Sequence, residues 1–122
     1  MTKHKSERLI RYNELRNTGV KTIEGLPIYF QNVINKIITK HPDIKISLFG
    51  SYYKGDYHNE DSSNEFIELK KEFKEFIKKR FRLRSDLDLF ISYEIDMKFE
   101  EVDIYVGDCI TEHVVLYDGT KK

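Results

Sequence analysis

Tryptophan is absent from the 122 residues, cysteine occurs once and proline twice. With Cys109 alone, no intrachain disulfide can form and no cysteine zinc cluster can be assembled. Without a basic neighbour in sequence, Cys109 reads as a small apolar packing group. No apolar run approaches the roughly 20 residues of a membrane span. The first residues, Met1 to Lys5, also lack the apolar stretch of a secretion signal. Both absences lead us to expect a cytoplasmic protein with no membrane partner. There is no repeat, linker or low-complexity tract. His4, His41, His58 and His113 are scattered without ligand spacing and are expected on the surface.

What is present suits a small globular chain. Hydrophobic residues make up 39% and charged residues 34%, with eight Tyr and eight Phe to fill a modest core. The length predicts one domain over residues 1–122. Net charge is zero, but its distribution is uneven. Residues 1–56 hold 10 Lys+Arg against 5 Asp+Glu, residues 57–84 hold 8 against 6, and residues 85–122 hold 3 against 10. Carboxylates gathered at one end repel each other unless a cation or a basic partner joins them; otherwise they form an acidic surface.

Periodicity predicts a charged helix over 4–16, with Leu9, Tyr12 and Leu15 along one side and Thr18-Gly19 as its stop. A second helix enters at Gly25-Leu26-Pro27, with Pro27 as its first residue, and runs through Ile28, Phe30, Val33, Ile34, Ile37 and Ile38 to His41-Pro42. Ile44 to Phe49 alternates as a strand and stops at Gly50-Ser51. Residues 52–63 read as loop. A third helix spans 64–83, its stripe being Phe66, Leu69, Phe73, Phe76, Ile77 and Phe81 on a Lys/Glu background. Ser85–Ser92, Val102–Val106 and Val114–Tyr117 read as strands. The order predicts an α+β fold, a small mixed sheet backed by helices.

Two stretches carry chemistry. In Ser85-Asp86-Leu87-Asp88-Leu89, strand alternation puts Asp86 and Asp88 on one face and the leucines on the other. Two such carboxylates repel, and a bound Mg²⁺ or Mn²⁺ relieves the repulsion. Asp103 stands between apolar residues in Val102-Asp103-Ile104, where an unpaired buried charge would be costly. A hairpin turning at Ile95-Asp96 would set Asp88 opposite Asp103 and Asp86 opposite Tyr105. Asp96, Glu100 and Asp108 compete for the third carboxylate but fall at a turn or a strand end. The other stretch is Phe49-Gly50-Ser51 followed by Lys54-Gly55. There a strand runs into a turn whose glycine lets backbone approach a phosphate. Tyr52 and Tyr53 read as base-stacking, core or rim residues.

Together, Phe49-Gly50-Ser51, Lys54-Gly55, Ser85-Asp86-Leu87-Asp88-Leu89 and Val102-Asp103-Ile104 resemble the nucleotidyltransferase superfamily of DNA polymerase β. The likeness is greatest to the minimal nucleotidyltransferases of bacteria and archaea. It implies a single polymerase β-like domain with a helical insertion at about 57–84. By resemblance, Gly50, Ser51 and Lys54 hold the nucleoside triphosphate, and Asp86, Asp88 and Asp103 are catalytic and hold two Mg²⁺ or Mn²⁺ ions. The implied reaction moves an NMP, AMP foremost, to a hydroxyl acceptor that includes proteins. Small domains of this kind also serve as antitoxin partners of HEPN-type toxins, so a regulatory binding role, active or inactive, is the alternative. A homo-oligomer that completes the site is a further expectation. The chain departs from the pattern in its long gap between Ser51 and Asp86, its tight connection before Asp103, and Lys54 where arginine is usual. A third reading is nucleic-acid binding through Lys78, Lys79, Arg80, Arg82 and Arg84.

Overall fold

Alternating apolar residues build the sheet. In the computed structural model, which describes residues 2–73 and 84–121, β1 (Lys45–Phe49) lies between β2 (Leu87–Ile91) and β4 (Val114–Asp118). The four-stranded order is β3-β2-β1-β4, with β3 at Val102–Val106. β1 runs antiparallel to both neighbours, and a bulge between Ile46 and Ser47 shifts its register with β4. The fold is α+β with a mixed, open sheet, as the element order predicted. Among the described residues no helix is long and apolar enough to cross a membrane.

The described chain divides into two compact units, Thr18–Gly55 with Asp86–Lys122, and Met1–Asn17 with Asp56–Ser85. The first contains the sheet. Its core takes Ile44, Ile46, Leu48, Leu87, Leu89 and Ile91, all at most 1% exposed, from the sheet's inner face. Phe30, Val33, Ile34 and Ile37 come from α2 (Ile28–Lys40). Pro27 caps this helix instead of opening it, and its carbonyl accepts the Gln31 N–H at 3.0 Å. The stretch read as loop from residue 52 begins inside a helix, α3 (Gly50–Lys54). Two left-handed glycines bound it. Gly50, at φ 76°, turns the chain off β1, and Gly55, at φ 91°, ends the helix by donating to the Ser51 carbonyl at 2.9 Å.

The predicted hairpin between β2 and β3 is not formed. The two strands are parallel, Leu87 pairing with Val102 and Ile91 with Val106. The chain leaves β2 at Ser92 and crosses back to start β3 at Val102, over residues 92–101. The Tyr29 hydroxyl on α2 donates to the Glu100 carbonyl at 3.1 Å and ties the crossover down. Parallel pairing normally needs about a dozen linking residues or more. This link is shorter, and the chain re-enters through Glu101 at φ 62°, a left-handed conformation that a side chain disfavours. β2 starts at Leu87, so Asp86 precedes the strand instead of lying within it.

The second unit packs α1 (Thr2–Leu15) against α4 (Asn64–Phe73). Tyr12 stacks flat on Phe66 with centroids 5.4 Å apart, and Leu69, Leu15 and Phe73 complete the cluster. Leu9 is exposed, contrary to expectation, because residues spaced by three drift about 60° at each step around a helix. Arg8–Glu72 and Arg11–Glu65 join the helices at 2.8 Å, but they are exposed pairs and stabilise little. His58, expected on the surface, is buried with Lys70 and Ser85. Lys70 Nζ donates to the Asp56 carbonyl at 2.6 Å and to Ser85 Oγ at 3.3 Å, and lies 2.8 Å from His58 Nδ1. A main-chain bond from Ser85 N–H to the His58 carbonyl closes the neck of this segment. Single-residue polarity could not reveal these burials, because the satisfying partners are 12 and 15 residues away from Lys70. His41 and His113 are half-buried, and Cys109 Sγ lies 3.4 Å from Thr111 Oγ1. Phe76, Ile77, Phe81, Lys78, Lys79, Arg80 and Arg82 lie outside the described residues, while Arg84 is exposed.

The Tyr12 hydroxyl is buried without a hydrogen-bond partner among the described residues, and burial, aided by the Asp56 charge, pushes the phenol up to about 12. An unsatisfied buried hydroxyl is costly, so Tyr12→Phe should stabilise the protein by about 1 kcal/mol. Thermal denaturation checks this; a lower midpoint in the variant would show that the hydroxyl is satisfied.

Candidate functional site

The outer face of the sheet carries the acidic residues. Asp88 lies between the buried Leu87 and Leu89, pairs with Phe49 across β1, and pairs with Asp103 across β3. The expected Asp88–Asp103 adjacency is therefore present, though parallel pairing produces it. The expected pairing of Asp86 with Tyr105 is not, since Tyr105 pairs with Phe90. Reversing the direction of β3 keeps one pair and exchanges all the others.

Gly50 and Asp88 are in intimate contact. A Cβ built on Gly50 would lie 2.2 Å from Asp88 Oδ2 and 3.0 Å from its Cγ. The carboxyl thus occupies the space that any side chain at position 50 would need. Ser51 follows, half-buried in the first turn of α3, and Lys54 is exposed in its last turn. Gly19 closes on the helix from behind, with no room for a side chain against the Tyr53 carbonyl. Tyr52 is buried, 1% exposed, and edge-on to Phe30, which makes it a core residue. Lys21 Nζ lies over the Tyr53 ring at 4.4 Å.

Electrostatics unites the three aspartates. Asp88 is pushed from 3.8 up to about 7, first by burial, then by the Asp103 charge, a hydrogen bond with Asp103, and the Asp86 charge. Asp103 is exposed on the edge strand, so the carboxylate that bears the cost of burial is Asp88, not Asp103 as its apolar flanks suggested. Among the described residues no group of three or more His, Cys, Asp or Glu stands in metal-holding geometry. Asp103 stands opposite Asp88 in the register, and its charge adds to burial in raising the Asp88 carboxyl. The donor set still suits a hard cation, which commonly takes one or two carboxylates together with substrate phosphates. Asp96, Glu100 and Asp108 are exposed in the crossover or beyond β3.

Three aromatic rings beside the carboxylates escaped sequence reasoning. Phe49 and Phe90 have centroids 4.9 Å apart, Phe49 and Tyr105 5.6 Å, and Phe90 and Tyr105 5.5 Å. The signal was available. Phe90 and Tyr105 follow Asp88 and Asp103 by two residues, and strand alternation returns them to the same face. No family model, no curated protein and no solved structure matches the chain.

Gly50→Ala should destabilise the protein by about 2 kcal/mol or more, combining left-handed strain with displacement of the Asp88 carboxyl. Chemical denaturation measures it, and a neutral effect would mean that the Asp88 side chain moves aside freely. A second expectation concerns pH. The folded value of Asp88 lies above its ordinary one, so its stabilising contribution is complete below about pH 4 and is lost as pH rises through about 7. Asp88→Asn should accordingly gain thermal midpoint relative to the parent between pH 4 and pH 8. A constant difference across that range would show that Asp88 titrates normally.

Proposed function

We propose that this chain is a metal-dependent nucleotidyltransferase of the minimal polymerase β-like kind, moving an NMP, AMP foremost, from a nucleoside triphosphate to a hydroxyl on a protein. The observation that carries the reading is the contact of Asp88 with Gly50 while Asp103 stands opposite Asp88 on the neighbouring strand. Acidic strand pairs and glycine-serine turns are each common. Their convergence from three chain segments, residues 49–51, 86–88 and 103, is what the proposed chemistry requires.

In this reading Asp86, Asp88 and Asp103 hold two Mg²⁺ or Mn²⁺ ions, which when bound stabilise charge on the attacking and leaving oxygens. The roles of the chain's own groups follow from their positions. Gly50, with no side chain, makes room for the Asp88 carboxyl at the turn where the triphosphate would bind, and Ser51 adds a hydroxyl donor there. Lys54 supplies positive charge at the far end of the same short helix. The acceptor oxygen attacks the α-phosphorus, the bond to the pyrophosphate oxygen breaks, and the acceptor proton passes to a carboxylate. Asp103 suits that last role because it is exposed on the edge strand, where an acceptor can reach it.

The uneven charge also supports a regulatory partnership, the antitoxin-like reading, since residues 85–122 hold 10 acidic against 3 basic side chains. A basic protein suits such a surface better than a nucleic acid does. Incubation with each labelled triphosphate and Mg²⁺ or Mn²⁺, followed by intact-mass analysis, tests transfer directly. Asp88→Ala should lower it about a thousandfold, the scale of losing one preorganised charge-stabilising group. Transfer undiminished in that variant would end the proposal.

A further inference from the structure

The two edges of the sheet differ. At the β4 edge the pairing with β1 skips Leu116, so that strand is bulged. Bulges, lysine and proline are common devices that stop an edge strand from pairing with another chain. β3, the other edge among the described residues, has none of them. Its ladder with β2 runs unbroken from Val102 to Val106. Apolar side chains are also exposed here. Tyr105 is 48% exposed, Val106 52%, and Ile110, four residues past the strand, 93%.

The main chain of β3 faces two ways. The Leu87 N–H donates to the Glu101 carbonyl at 2.8 Å, and the Gly107 N–H to the Ile91 carbonyl at 2.9 Å. In a parallel ladder those bonds direct the N–H and C=O of Asp103 and Tyr105 toward β2. The N–H and C=O of Val102, Ile104 and Val106 therefore point out of the open edge. The side chains repeat this symmetry about Ile104, with valine at both ends and a carboxylate and a phenol on either side of the centre. We infer that β3 is the docking edge for a second copy of this chain, whose β3 pairs antiparallel about Ile104 and joins the two sheets into one.

That centre satisfies the whole outward set. Ile104 pairs with its own copy and Val102 with Val106 of the partner subunit, and each such pair exchanges both N–H···O bonds. Branched apolar side chains meet each other at all of these positions. On the outer face Asp103 stands directly opposite the partner's Tyr105, in the closer, non-hydrogen-bonded kind of pair. A phenol donates to a carboxylate, so the two are compatible. Centring on Asp103 would set it against its own copy, like charge on like. Centring on Tyr105 would set Val102 against Asp108, beyond the strand. Positive φ at Glu101, 62°, and at Gly107, 124°, bounds the strand and confines the pairing to its five residues. Acidic residues oppose the association, since Asp103 lies diagonal to its own copy and Glu100 and Asp108 flank the strand. The inference does not depend on the reaction proposed above, and it brings the partner's Tyr105 beside Asp103 of each site.

Sedimentation of the full chain from about 1 µM to about 500 µM tests it, a span that resolves dissociation constants around the micromolar scale. A monomer–dimer equilibrium should appear, and added salt should tighten it by screening the acidic residues. Val106→Pro removes an outward N–H from each copy and leaves the ladder to β2 intact, because that N–H takes no part in it. It should raise the dissociation constant at least about tenfold, the scale of two lost hydrogen bonds. A mixture of Asp103→Cys and Tyr105→Cys, each in a Cys109→Ser chain, reads the register. Oxidised together they should cross-link as the mixed dimer, their Cα atoms standing about 4.5 Å apart. Asp103→Cys alone should not cross-link, because its copies stand about 7–8 Å apart on the diagonal. A monomer at every concentration would overturn the inference. So would dimers that salt weakens, dimers that a folded Val106→Pro leaves unchanged, or a mixture that cross-links no better than Asp103→Cys alone. If Val106→Pro does not fold, the cross-linking decides.

Discussion

The contact between the Asp88 carboxyl and the backbone of Gly50 governs the arrangement of the outer sheet face. It holds the end of β1 against the start of β2 at the point where a side chain on residue 50 would intrude. Asp88 is also partly out of water beside Asp103, whose charge opposes ionisation of the Asp88 carboxyl. The Asp88 carboxyl in this setting is raised to about 7.

Sheet topology is the second constraint. Because β3 runs parallel to β2, Asp103 and Tyr105 advance in step with Asp88 and Phe90. The acidic pair and the aromatic pair consequently lie side by side in two successive rows. An antiparallel β3 would have mixed them, pairing a carboxylate with a ring. The cost of the parallel arrangement falls on a short crossover, on the Tyr29–Glu100 anchor and on the left-handed Glu101 at its end. Backbone strain often accompanies a site whose geometry matters.

The unit of residues 1–17 and 56–85 is organised differently. Its centre is an aromatic stack, Tyr12 on Phe66, and its neck is closed by buried polar groups rather than apolar ones. His58, Lys70 and Ser85 satisfy one another at hydrogen-bond distance, which makes their burial tolerable. That cluster specifies how residues 56–58 and 85 meet without calling on a hydrophobic core.

Much of the fold was legible in the chain. Alternation at 44–49 and the apolar runs at 85–92 and 102–106 identified three strands, the second two residues early at its start, and helical spacing identified α2 and the start of α4. Local period is a short-range property, and it can be read residue by residue. The candidate carboxylates Asp88 and Asp103 were legible for the same reason, as polar exceptions in apolar strands, Asp86 as the acidic residue just before one, and Gly50-Ser51 as the stop of another. Strand direction was not legible, because a connection of ten residues permits either a hairpin or a tight crossover. The burial of Lys70 and His58 was equally hidden, since it depends on partners distant in sequence. Local chemistry in the sequence alone determined which residues could carry function. Only the tertiary structure decided which of them meet, because register, strand direction and burial are set by contacts between segments and not within them.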